Sequence, residues 1–195
     1  AFRMRPKTLE EYVGQEHVLG QDKILYRTIK ADRLSSIILF GPPGCGKTSL
    51  AKVISATTKY KFYKLNAVTA GVADIKKVIE ETKNFMLNPA GKSILFIDEI
   101  HRFNKLQQDA LLPFVENGLI ILIGATTENP YFEVNTALIS RSIIFELQPL
   151  TADNIKTLIY RAVNDAEKGM GVYNAIIDDE AVGFLAELSN GDART

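Results

Sequence analysis

Lys47 and Thr48 stand side by side after Gly41-Pro42-Pro43-Gly44-Cys45-Gly46, which completes the pattern G-x-x-x-x-G-K-T. That spacing serves phosphate chemistry. Glycines admit backbone conformations that a side chain forbids, so successive N–H groups can turn inward and cradle an anion. A helix starting near Lys47 aims the positive end of its dipole at the same place. Lys47 adds a mobile charge for the β- and γ-phosphates, and the Thr48 hydroxyl suits Mg²⁺. With Ser49, these residues form the candidate nucleotide-binding set. A plain glycine-rich turn is the alternative, and the succession strand, loop, Lys-Thr, helix speaks against it.

A second pair with chemical capacity, Asp98-Glu99, ends the apolar run Ser93 to Ile97. Asp98 is placed to hold Mg²⁺ together with Thr48, largely through water, because Mg²⁺ gives up its hydration shell reluctantly. Glu99 is placed to orient an attacking water or accept its proton. A protein that only binds has no use for that second acid; a solvated strand end is the rival reading. Thr126, at the end of another strand, is a candidate partner of the γ-phosphate or the water. Asn66, closing the stretch Lys59 to Leu65, is a candidate partner of Glu99 that would hold it away from water. By pattern alone Arg141 is a surface arginine and His101 a structural or polar-network residue. Cys45 reads as a small loop filler whose oxidation would hinder phosphate binding.

The elements that must position these groups follow from periodicity. Ile37 to Phe40 is a buried strand leading into the loop, and Leu50, Val53 and Ile54 recur at helical spacing to about Ala56. Residues 22–34 look helical. Lys59 to Leu65 reads as a strand whose lysines suit a sheet edge, where charge blocks further pairing, better than a nucleic-acid patch. Residues 72–87 form an amphipathic helix with Lys76–Glu80 and Lys77–Glu81 four apart. Asn104 and Gln107 make a capping box for a helix that Pro113 should kink or shorten and Asn117-Gly118 should close. Leu119 to Gly124 and Ile143 to Leu147 are further strands. Thr8 with Glu11 suggests a short capped helix in a surface-like leader. Beyond Pro149 the chain is helical over 152–167 and 179–188, with a third start at Asp192. Strands alternating with helices imply an α/β domain with a parallel sheet and right-handed crossovers.

Composition narrows the partners. The 195 residues are 46% hydrophobic and 24% charged, which suits a globular chain with a sizeable core. Lys+Arg and Asp+Glu each total 23, so any nucleic-acid surface must be a local patch. No apolar run approaches a membrane span, and Ala1 to Met4 does not open a signal peptide. A single cysteine rules out an internal disulfide and suits a reducing compartment; with only two histidines, a structural zinc site is not expected.

GPPGCGKT, followed by LFIDEIHRFNKLQQDALLPFVENG and LIGATTENPYFEVNTALISR, resembles the AAA+ ATPases of the clamp-loader clade. Within that clade the stretch is similar to the replication-associated recombination protein A family and its Werner-helicase-interacting relatives. The resemblance runs from RMRPKTLEEYVGQ to GDAR. It implies a five-stranded sheet of order 5-1-4-3-2 over residues 1–149. A helical lid follows over 150–195, incomplete and without the family's C-terminal oligomerisation region, and ATP-Mg²⁺ binds at the junction. Gly41 to Thr48 match Walker A, Asp98 and Glu99 Walker B, and Thr126 sensor 1. Asn66 falls on the polar switch residue that restrains the catalytic glutamate. Arg141, in Ser140-Arg141-Ser142, matches a Ser-Arg-Cys motif whose arginine reaches the neighbouring subunit's ATP. Arg194 falls on sensor 2, which contacts the γ-phosphate, and Val13-Gly14-Gln15 on the segment near adenine.

The activity implied is ATP hydrolysis at stalled or damaged replication forks, in the cytoplasm at the nucleoid. The implied partners are forked, gapped or ended DNA and a single-strand-binding protein or clamp, with no membrane. The family's tetramer is expected to give way to a monomer with slow turnover in this chain. Two rivals are an ATP-binding scaffold and a Holliday-junction branch-migration motor, which shares GATT at sensor 1. FNKLQQDALLP argues against the motor. A GTPase would need an aspartate that Asn104-Lys105-Leu106-Gln107 lacks, and small-molecule kinase chemistry would leave the paired acids and Arg141 unexplained.

Overall fold

The computed structural model describes residues 3–194, so Ala1, Phe2 and Thr195 lie outside the described residues. Five strands, Ile37–Phe40 (β1), Lys61–Asn66 (β2), Ser93–Asp98 (β3), Ile120–Thr126 (β4) and Ile143–Glu146 (β5), form one parallel sheet. Their order is β2-β3-β4-β1-β5, the expected order read from the opposite edge. β4 is buried along its whole length and β3 up to Asp98, because both faces of a parallel sheet are covered and both strands are runs of large apolar residues. β2 and β5 lie at the edges and are partly exposed. The lysines of β2 therefore stand where charge discourages a further strand.

Alternation along the strands sorts side chains between two cores. Ile37, Leu39, Ile94, Phe96 and Ile123 face one side. They pack there with residues of Glu16–Leu19 (α1), Ile24–Lys30 (α2) and Lys47–Thr57 (α3). Ile38, Leu95, Ile97 and Leu122 face the other side, with Val72–Lys83 (α4) and Lys105–Glu116 (α5). Two short helices, Pro130–Glu133 (α6) and Thr136–Ile139 (α7), run from β4 towards β5. Ala152–Asn164 (α8) and Asp179–Leu188 (α9) close a smaller cluster of Leu150, Ile155 and Ala186. No described helix is long and apolar enough to cross a membrane.

The register levels the carboxyl ends of the central strands. Phe40 pairs with Thr126, and Asn66 with Asp98. Asn66, Asp98 and Thr126 thus share one rim with the loop after β1, where open α/β sheets bind ligands, whereas Arg141 precedes β5 at the opposite end.

Several local expectations change. No helix forms at Thr8: Glu11 N–H donates to Thr8 Oγ1 (3.3 Å), but the Glu11 carboxylate takes the Lys7 N–H (2.9 Å) and the segment stays in turns. The helix expected over 22–34 is confined to Ile24–Lys30, with Asp32 beyond it at φ +51°. α4 stops at Lys83 because the Asn84 side chain accepts from Met86 N–H, turning the chain. α5 runs through Pro113 to Glu116; the proline lies in the last turn, so only one intrahelical donor is lost. α8 ends at Asn164, where Asp165 Oδ1 accepts from Glu167 and Lys168 N–H. Residues 192–194 are not helical; the Asp192 carboxylate holds Arg194 N–H at 2.8 Å in a turn.

Candidate functional site

The loop joining β1 to α3 turns on Gly44 (φ +73°) and Gly46 (φ +106°), conformations that favour glycine. At Gly46 a β-carbon would also meet the Tyr12 hydroxyl, and at Gly44 the Asp192 carboxylate. Gly46 caps α3 without a side-chain acceptor, so the first N–H groups of that helix remain suited to an anion. Lys47 is buried and folded back on the loop. Its Nζ donates to Gly41 O and Pro42 O, both at 2.7 Å, and lies 3.8 Å from Cys45 Sγ. Burial holds this ammonium below the usual lysine pKa, and the same burial pushes the Cys45 thiol up. Neutral carbonyls are weaker partners than a phosphate, so the lysine is poised to exchange them.

Asp98 ends β3 facing the loop. Thr48 Oγ1 donates to Asp98 Oδ2 at 3.4 Å, and Lys64 Nζ lies 3.3 Å from the same oxygen. Two hard oxygen ligands in this proximity fit Mg²⁺, which takes few protein ligands and completes its shell with water and phosphate. Glu99, at φ +57°, is a non-glycine residue in the left-handed region, a strain of about 1 kcal/mol or more that turns its carboxylate out of the strand direction. Glu99 Oε2 lies 3.4 Å from His101 Nε2, and His101 Nδ1 lies 2.9 Å from Thr126 Oγ1. Thr126 also accepts from Glu128 N–H at 3.0 Å, and its carbonyl takes Gly41 N–H at 3.2 Å. Glu99 and Thr126 are thereby joined through His101, and Thr126 is tied to the glycine loop through its own carbonyl.

The expected pairing of Asn66 with Glu99 is not present among the described residues. Asn66 Oδ1 accepts from Val68 N–H at 2.9 Å, because β2 ends in a tight turn that uses the carboxamide locally. Glu99 faces His101 instead.

Of the segment Val13-Gly14-Gln15, Gly14 and Gln15 are seated between the glycine loop and the root of α8. The Gln15 carboxamide brackets the Gln148 backbone, donating to its carbonyl (2.7 Å) and accepting from its N–H (2.9 Å), and reaches Cys45 O at 3.3 Å. Gly14 lies against Leu150 and Asn154. Arg194 is also brought to the loop. Its Nε and Nη2 grip the Asp192 carboxylate (3.0 and 2.7 Å), and Ala193 N–H donates to Gly44 O at 3.3 Å. The Arg194 guanidinium holds the Asp192 carboxyl below its usual range. Arg141 stays on its own surface: it ion-pairs with Glu116 and donates to Ala137 O (3.0 Å) and Ser140 Oγ (2.9 Å).

Tyr12, Lys64, Glu116, Gln148 and Asp192 also contact the candidate residues and were not singled out from sequence. Only Lys64 carried a local signal, standing two residues before Asn66 and therefore on the same face of β2. Tyr12, Glu116 and Gln148 meet their partners across whole helices and strands, and Asp192 meets Arg194 two residues on in a turn without a distinctive pattern.

Residues 4–151 match the family model of the Holliday junction DNA helicase RuvB P-loop domain. The chain belongs to this RuvB P-loop family. The Thermotoga maritima RuvB Holliday junction branch migration motor superposes with a TM-score of 0.78 at 30% identity, covering 98% of this chain and 62% of that one. The architecture is accordingly the AAA+ P-loop fold, as the resemblance implied. The RuvB-type domain is also 48% identical over 195 residues to replication-associated recombination protein A of Bacillus subtilis (strain 168). It is 50% identical over 192 residues to the ATPase WRNIP1 of Dictyostelium discoideum. It spans 45% of the length of the first and 22% of the second.

Proposed function

We propose that this chain is the ATP-hydrolysing module of a DNA-dependent ATPase that acts in replication-fork maintenance, recombination and DNA repair. The observation that carries the hydrolase reading is the convergence of Lys47, Thr48, Asp98 and Glu99 at the carboxyl rim of β1 and β3, the two strands that flank β4. Backbone N–H groups from Gly44 to Thr48 bind the phosphates, and Lys47 leaves its carbonyl partners for the β/γ oxygens. Thr48 and Asp98 would hold Mg²⁺, which would supply charge neutralisation for the triphosphate. Glu99 orients the attacking water and accepts its proton, with His101 and Thr126 fixing its position. Val13 to Gln15 line the base, and Arg194 exchanges Asp192 for the γ-phosphate. Arg141, released from Glu116, reaches the ATP of a neighbouring copy in a homotetramer. In this reading residues 1–149 carry the site and the helices from residue 150 form part of a lid.

Fork-associated work is preferred because identity to replication-associated recombination protein A is 48% over the chain, against 30% to the RuvB motor. The proposed partners are forked, gapped or ended DNA and a single-strand-binding protein or clamp, in the nucleoid-associated cytoplasm. The family model itself favours the second reading, a Holliday-junction motor. Steady-state hydrolysis, in the chain extended to its relatives' length, separates them. Stimulation by forked or gapped DNA exceeding that by a four-way junction supports the first. A preference for the junction supports the second, and turnover indifferent to DNA overturns both.

A further inference from the structure

We propose that Lys64 is a positioning residue of the metal site: a resident cation that pairs with Asp98 and raises the Mg²⁺ concentration the site needs. This rests on the nucleotide-site reading above and goes beyond it in naming a residue outside the phosphate loop and acid pair that tunes the metal.

The geometry is specific to one of the three lysines near β2. Lys59 pairs with Asp32 (3.8 Å) and Lys61 with Glu81 (3.3 Å), both away from the phosphate loop. Lys64 pairs in register with Phe96 while Asn66 pairs with Asp98, so the lysine starts one step behind the acid on the same face. Its side chain leans forward over the Phe96 ring, with Nζ 5.6 Å from the centroid, and brings the ammonium to 3.3 Å from Asp98 Oδ2. That oxygen is the one Thr48 Oγ1 also approaches, at 3.4 Å. The ammonium therefore stands beside the two ligands assigned to Mg²⁺.

Charge balance gives the contact its meaning. Lys47 is bound to Gly41 and Pro42 carbonyls, so Asp98 finds its cationic partner in Lys64. A divalent ion arriving at Asp98, even through its water shell, meets a like charge a few ångströms away and must displace it. Displacement is open to Lys64, whose side chain is 42% exposed on an edge strand. Protection of the sheet edge accounts for an exposed lysine but not for the direction in which this one reaches.

The test is binding of a fluorescent ATP analogue by anisotropy to the 195-residue chain, with free Mg²⁺ buffered across a series. Wild type, Lys64→Met, Lys64→Gln and Lys64→Arg are compared, with Lys47→Ala as the site control. Lys64→Met and Lys64→Gln are expected to lower the Mg²⁺ midpoint about three- to tenfold. Lys64→Arg should stay within about twofold of wild type, as should binding in chelator for all three variants. An unchanged or raised midpoint in Lys64→Gln overturns the proposal, as does Lys64→Arg following the neutral variants. Failure of the underlying reading looks different: wild type binds no analogue, or Lys47→Ala binds it equally well.

Discussion

Glu99 carries the largest burden of any single residue. Its left-handed backbone takes it out of β3, and His101 and Thr126 hold the place it turns towards. Glu99→Gln keeps the shape and removes the proposed base. Nucleotide affinity should change by less than about threefold while turnover falls about 100- to 10,000-fold, measured as single-turnover phosphate release. Lys47 makes a pH-dependent claim. Burial depresses its pKa, so the free chain loses that charge on raising the pH earlier than an ordinary lysine would. ATP affinity should be level at neutral pH and decline as pH rises through the depressed value. Lys47→Arg, charged throughout, should show no such decline in titrations from pH 7 upward. The types and spacing of these residues were legible in the chain because each motif is local. The partnership of Asn66 was not, since a carboxamide after a strand can serve the next turn as readily as an acid across the sheet, and here it serves Val68.

At the scale of elements, strands β1, β3 and β4 announced themselves as apolar runs, and the capping box at Asn104 closes as expected, with Asn104 and Gln107 each accepting the other's N–H at 2.9 Å. Asn104→Ala should cost about 1 kcal/mol in denaturant unfolding. Helix ends were less legible, because Asn84 and Asp165 stop α4 and α8 with side-chain hydrogen bonds that apolar periodicity does not register. The glycine positions separate fold from function. Gly118 (φ +71°) faces open space, so Gly118→Ala should lose about 1–2 kcal/mol and leave nucleotide binding intact. Gly46→Ala adds collision with the Tyr12 hydroxyl to a similar strain and reshapes the loop. It should abolish binding as well as stability, a contrast checked by melting and anisotropy on the same samples.

Across the whole molecule, one rim gathers elements far apart in the chain: the Val13–Gln15 segment, the loop after β1, the end of β3 and the turn at Asp192. Strand order and this gathering could not be read from spacing; they came from resemblance and are seen in the order of the sheet and in the contacts of Gln15, Thr48 and Ala193. The salt bridge of Arg141 to Glu116 keeps that arginine on its own copy's surface. If hydrolysis occurs between copies, Arg141→Ala and Lys47→Ala proteins of full relative length should each be nearly inactive, with Arg141→Ala slowed about 1,000-fold or more. Mixed, they should recover activity, because one supplies the site and the other the arginine. The most direct test of the central claim is calorimetric titration of the chain with ATP, with Mg²⁺ present or chelated. The expected result is one site per chain, lost in Lys47→Ala, and in Asp98→Asn weakened only when Mg²⁺ is present. Equal binding by wild type and Lys47→Ala would contradict the account.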